Sequence, residues 1–159
     1  MKIILRAGGV MRSGPEREMV DDYITRASGL ARATGFISIT EESVDLRAAK
    51  TRHDETLKLL STIPSQARII ILDERGKTPK SREIAKHFAN WRDDGVAASY
   101  FLIGGADGFE PDTLKNAAPN ITRWALGPQT WPHKLVRVMA AEQIYRALSI
   151  LAKTPYHRD

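Results

Sequence analysis

Short apolar runs alternate with amphipathic stretches along this chain, the pattern of an α/β layer architecture. Residues 2–7 form a first apolar run that stops at Gly8-Gly9 and reads as a strand. Residues 15–33 read as a helix, with Ser13-Gly14-Pro15 as its start signal, Gly35 as its stop, and Met19, Tyr23, Ala27 and Leu30 on one face. A second strand is predicted over 36–40. The charged stretch 41–54 has no apolar period and is read as a loop, with a helix following up to Leu60.

The segment 68–73 (RIIILD) is the clearest strand, and its unbroken β-branched run predicts burial on both faces, as in a parallel sheet. A helix over 81–91 places Ile84, Phe88 and Trp91 on one stripe. Strand 96–103, a short helix over 111–118 opened by Pro111, and strand 121–126 come next. The longest helix covers 134–151. Leu135, Val136, Val138, Met139, Ile144, Tyr145, Leu148, Ile150 and Leu151 wrap nearly its whole circumference, so it needs cover on most sides. A central position in one chain and contact with a second subunit explain that need equally well. Its polar residues include Glu142 and Arg146, one turn apart and able to pair.

A chain of 159 residues fits one domain spanning 1–159, and 42% hydrophobic with 27% charged residues excludes wholesale disorder. The absence of cysteine excludes disulfides, thiolate zinc sites and a cysteine nucleophile. Residues 1–6 reach charge too soon for a signal peptide, and no apolar run is long enough to span a bilayer, so a cytoplasmic protein without membrane attachment is expected. His53, His87, His133 and His157 lack metal-ligand spacing, and no metal site is expected. The formal net charge is +5, and the final 37 residues carry six Lys/Arg against two acids. That excess permits a polyanionic partner without requiring one.

Three segments carry candidate chemistry. Leu102-Ile103-Gly104-Gly105-Ala106-Asp107-Gly108 follows a buried strand, where open α/β sheets bind ligands, but it does not match the dinucleotide fingerprint. Leu126-Gly127-Pro128-Gln129-Thr130-Trp131-Pro132-His133 is a stiff loop able to offer backbone groups to a ligand's polar edge, with Trp131 or Leu126 over its apolar face. It also reads simply as a strand-to-helix connection. The end of the chain, Thr154-Pro155-Tyr156-His157-Arg158-Asp159, groups an aromatic ring, an imidazole and a guanidinium, residue types that stack on bases, move protons and hold phosphates.

In this order, Leu102 to Gly108, Pro132-His133-Lys134-Leu135-Val136-Arg137-Val138, Glu142-Gln143-Ile144-Tyr145-Arg146-Ala147 and Pro155-Tyr156-His157-Arg158 resemble the large-subunit rRNA methyltransferase H family, of the SPOUT class. The resemblance runs the whole chain, including RIIILDERGK, and is weakest over 8–65. It implies a mostly parallel α/β sheet with flanking helices and a C-terminal trefoil knot. It implies a homodimer that moves a methyl group from S-adenosylmethionine to N3 of a pseudouridine in 23S rRNA of the assembled ribosome.

By the family pattern, cofactor contacts fall on Leu72, Gly105, Gly127, Pro128, Gln129, Thr130, Trp131 and Pro132. The Gly-Pro-Gln sequence at 127–129 departs from commoner family versions. The chemistry asks for a group that takes the N3 proton and groups that hold the base. Glu142, Tyr156, His157 and Arg158 are the candidates for catalysis, with the acceptor left open among Glu142, Tyr156 and His157. Arg137 and His133 are candidates for RNA contact. The rival readings are a non-catalytic RNA- or ribosome-binding module and a small nucleotide-binding regulatory protein.

Overall fold

The computed structural model describes residues 1–117 and 121–158. Along the chain lie β1 (Lys2–Gly8), α1 (Pro15–Ala31), a 3₁₀ turn (Arg32–Thr34), β2 (Ser38–Val44), α2 (Arg52–Leu60) and β3 (Arg68–Lys77). Then follow α3 (Ser81–Asp93), β4 (Ala98–Ile103), α4 (Pro111–Ala117), β5 (Ile121–Trp124) and α5 (His133–Leu151). Among the described residues the strands form one parallel sheet in the order β2-β1-β4-β3-β5. A parallel sheet puts every strand's carboxyl end on one edge, so the turns after β3, β4 and β5 open on the same side.

Alternation along the strands divides the apolar side chains between two layers. Ile3, Leu5, Ile70 and Phe101 pack with Val20 and Ala27 of α1, Ile84 and Phe88 of α3, and Ile144 and Leu148 of α5. On the opposite face Ile4, Ile69, Ile71 and Leu102 meet Leu59 of α2 and Leu114 of α4. The helix α5 finds most of its cover inside the chain: Val138, Ala140, Ala141, Ile144, Ala147 and Leu148 are buried, while Leu135 stays exposed.

The observed elements differ from the expected ones in instructive places. β2 runs to Val44, through residues read as the start of a loop. Its carboxylates are paired with guanidiniums: Glu42 accepts from Arg6 at 2.8 Å, and Glu41 accepts from Arg17 at 3.1 Å and from Arg137. Ion pairs therefore replace the apolar alternation a strand usually shows. β3 continues past Asp73 to Lys77, its pairing with β5 shifting register between Leu72 and Lys77. β5 itself stops at Trp124, short of the expected 126. The expected helix end at Ala118 lies outside the described residues, as does Asp159.

Candidate active site

β4 ends at Ile103 and passes into the glycine turn, which closes when the Gly108 N–H donates to the Gly105 carbonyl at 3.1 Å. A β-carbon on Gly105 would meet the carboxylate of Glu55, which would have to swing aside. His133, the first residue of α5, reaches this turn with its Nε2 2.6 Å from the Gly104 carbonyl oxygen. A carbonyl only accepts, so Nε2 carries the proton. His133 thus ties the start of α5 to the turn after β4.

The loop after β5 is stiffened from within. Gly127 has φ of 116°, in the left-handed region that favours glycine. Trp131 Nε1 donates to the Leu126 carbonyl at 3.2 Å, and Thr130 Oγ1 donates to Glu74 at 2.6 Å. A cavity of about 450 Å³ opens between this loop, the glycine turn and the end of β3. That is a size typical of small-molecule sites. Leu72, Gly105, Gly127, Gln129, Thr130 and Trp131 line it, and so does His133. Pro128 and Pro132 belong to the same loop but do not line the cavity. Asp73 stands at its edge between Arg75 and Arg123, 3.8 and 3.6 Å away.

A second, more apolar cavity of about 530 Å³ shares Leu72, Leu126 and Gly127 with the first. Its walls include Met19 and Tyr23 of α1, Ile84 of α3, and Val138 and Glu142 of α5. At Glu142 the end of the chain folds back onto α5. Tyr156 Oη donates to Glu142 Oε1 at 2.9 Å, and Arg146 Nε donates to the same oxygen at 2.8 Å. Gln143 Nε2 donates to the other carboxylate oxygen at 2.7 Å. The Tyr156 ring lies against Tyr145, with centroids 4.5 Å apart, and under the Arg146 guanidinium. Arg146 Nη1 is also 3.4 Å from Nδ1 of His157.

Burial, the hydrogen bond to Glu142 and the nearby Tyr23 all push the Tyr156 phenol above its ordinary pKa. It therefore serves here as a donor to Glu142. Three of the four expected catalytic residues, Glu142, Tyr156 and His157, come together. Arg158 is exposed and stands outside these bonds, and Arg146 occupies the place expected of it. The i,i+4 spacing to Glu142 was the sequence signal for that role.

Arg137 does not lie on a surface that RNA can reach. It is among the largest fully buried residues in the molecule, at 1% exposure. It donates to the Gly9 carbonyl at 3.1 Å, to Ser43 Oγ and to the Glu41 carboxylate. Burial and the nearby charge of Arg17 lower its pKa to about 10, so it remains a cation at neutral pH. The role expected for it in RNA contact gives way to a structural one. His133 likewise spends its Nε2 proton on the glycine turn.

The family model described as "Predicted SPOUT methyltransferase" matches residues 1–157. Proteins named ribosomal RNA large subunit methyltransferase H match along their full length. The one from Maricaulis maris is 46% identical over 159 residues, covering 100% of both chains. The one from Hyphomonas neptunium is 48% identical over 158 residues, covering 99% of each. The chain belongs to the rRNA large subunit methyltransferase H family of SPOUT methyltransferases.

Among solved structures, the Legionella pneumophila protein Lpg2936, in complex with the cofactor SAM, is similar at a TM-score of 0.45. It is 16% identical, with 95% of this chain and 65% of that one covered. As a SPOUT methyltransferase the chain has a five-stranded parallel sheet with flanking helices, the α/β architecture its apolar pattern predicted and the sheet the family resemblance implied. Among the described residues no helix is long and apolar enough to cross a membrane, and no group of three or more His, Asp or Glu is placed to hold a metal ion.

Proposed function

We propose that this methyltransferase transfers a methyl group to N3 of a pseudouridine in 23S rRNA of the assembled ribosome, in the cytoplasm, as a homodimer whose C-terminal part is knotted. S-adenosylmethionine is the methyl donor. The observation that carries this reading is the meeting of two cavities at Leu72, Leu126 and Gly127, one beside the glycine turn and one walled by Glu142.

The residues of the first cavity suit the donor. Leu72, Leu126, Trp131 and Val136 offer apolar cover to a purine, and the backbone around Gly105 and Gly127 is open to close approach. Asp73, Glu74 and Asp107 place carboxylates near a ligand that carries a sulfonium and an ammonium. Pro128 and Pro132 act by holding the loop's shape. When bound, S-adenosylmethionine supplies a methyl that is already electrophilic, which leaves alignment of the base and removal of the N3 proton to the protein.

Glu142 accepts from Tyr156, Arg146 and Gln143, so it positions the end of the chain. Tyr156 is a donor, as its raised pKa also favours. These commitments support a ring nitrogen of His157 as the acceptor of the N3 proton, with Arg158, exposed beside it, available to phosphate or to the deprotonated base. In the dimer, residues 156–158 of one subunit complete the pocket of its partner, which gives the end of the chain a function.

The test is mass spectrometry of 23S rRNA from cells lacking the protein. One N3-methylpseudouridine should disappear, return with the wild-type gene, and stay absent with His157→Ala. An rRNA methylation pattern identical with and without the protein would sink the proposal.

A further inference from the structure

Residues 75–87 contain Arg75, Lys77, Lys80, Arg82 and Lys86 against the single acid Glu83. This second basic concentration lies far in sequence from the one near the end of the chain. In the fold it borders a groove of about 510 Å³ beside β5, the last strand at that edge of the sheet. Lys77, Lys86, His87, Asn90 and Trp124 line the groove, together with Glu83, whose carboxylate accepts from the Lys80 backbone N–H at 2.7 Å. Many cations of the molecule are matched: Arg6, Arg17, Arg52, Arg75, Arg137 and Arg146 each pair with a carboxylate. Lys77 and Lys86 are exposed and have no ion pair among the described residues.

The floor of the groove is aromatic. The exposed imidazole of His87 lies 5.5 Å from the Trp91 ring and 5.3 Å from the Trp124 ring, centroid to centroid. The two indoles stack on each other at 5.9 Å and 17°. A flat ring backed by two rigid indoles and flanked by uncommitted ammonium groups is the combination that binds single-stranded nucleic acid. Cations meet phosphates, and the ring meets a base whose face is open because it is unpaired. Thr78, Pro79 and Trp124 also line the apolar cavity that contains Glu142, so the groove leads toward the candidate active site.

We propose that this groove holds an unpaired stretch of the RNA substrate, with Lys77 and Lys86 on its phosphates and His87 under one of its bases. The proposal rests on the reading that the substrate is RNA, and it adds a docking surface outside the methyl-transfer residues.

The test measures fluorescence anisotropy of a short fluorescein-labelled oligouridylate, and of an abasic strand of equal length, over a series of KCl concentrations. Lys77→Ala/Lys86→Ala should weaken oligouridylate binding and reduce the slope of log affinity against log salt by about 1.4, at about 0.7 per lost single-strand phosphate contact. His87→Ala should leave that slope in place and remove the preference for oligouridylate over the abasic strand, about fivefold or more. A role confined to packing would not separate the two strands. With ribosomes as substrate, the lysine variant should raise KM while kcat and affinity for S-adenosylmethionine hold.

A lysine variant with the wild-type slope, or a wild-type protein indifferent to the bases or unable to bind the strand, would overturn the proposal. Wild-type protein that binds oligouridylate through these lysines yet methylates no ribosome would instead refute the proposed ribosomal substrate and leave the groove standing.

Discussion

Replacing Arg137 by Ala tests whether this residue holds the fold together or touches RNA. The residue is 1% exposed, and its side chain links α5 to the Gly9 carbonyl and to Ser43 and Glu41 of β2. Removing one partner of a buried ion pair generally costs about 3–5 kcal/mol, because the remaining charge is left without water. Here Glu41 would keep Arg17, 3.1 Å away, which softens the loss. The missing aliphatic stem adds a packing defect. The two corrections oppose each other, and a loss of about 3 kcal/mol is expected. For a chain of this length that lowers the melting temperature by about 6–12 °C.

Urea unfolding followed by circular dichroism at fixed protein concentration measures the loss, the concentration being held because assembly shifts apparent stability. Adding Glu41→Gln to Arg137→Met should recover part of it, since the uncompensated carboxylate is what costs. A loss under about 1 kcal/mol, accompanied by weakened ribosome binding, would show the reasoning from burial to be mistaken.

Two further outcomes are expected. The raised pKa of Tyr156 means that the folded protein favours the neutral phenol. Its contribution to stability is fully present below the ordinary tyrosine pKa of about 10 and is lost as pH rises through the higher folded value. A near-ultraviolet titration should find a tyrosine step above the ordinary range, and Tyr156→Phe should remove it; its full persistence would refute the assignment to Tyr156. His133→Ala should free the Gly104 carbonyl and weaken S-adenosylmethionine binding about fivefold in calorimetry, the worth of roughly one hydrogen bond, with ribosome affinity unchanged. The reverse pattern would return His133 to the RNA-contacting residues.

What the sequence made legible was local. The run at 68–73 announced a strand because Ile69, Ile70 and Ile71 are apolar on both faces, and Glu142 with Arg146 announced a pair by spacing alone. What stayed hidden depended on partners distant along the chain. Glu41 and Glu42 read as loop because the guanidiniums that hold them come from β1, α1 and α5. Arg137 read as a surface cation for the same reason, its neighbours being Gly9, Glu41 and Ser43. The extension of β3 to Lys77 could not be read because Lys77 gains its place by pairing with Trp124. The loop after β5 stood out by its glycine and prolines, but only the fold separates residues that line the cavity from Pro128 and Pro132, which do not. The exposed basic groove escaped notice because its charge is interleaved with the apolar residues that mark α3 as a core helix.

The pairing of β1 carries a consequence for how the chain folds as it is made. Lys2 aligns with Ala98 across the sheet, and Gly9 receives Arg137 from the last helix. Contacts so distant along the sequence require long loops to close first, which slows folding. During synthesis one edge of β1 can pair with β2 once residues 38–44 have emerged, but its other edge stays open until β4, residues 98–103, has been made. Nascent chains stalled before Ala98 carry that unpaired strand edge, so they are the species most in need of a chaperone.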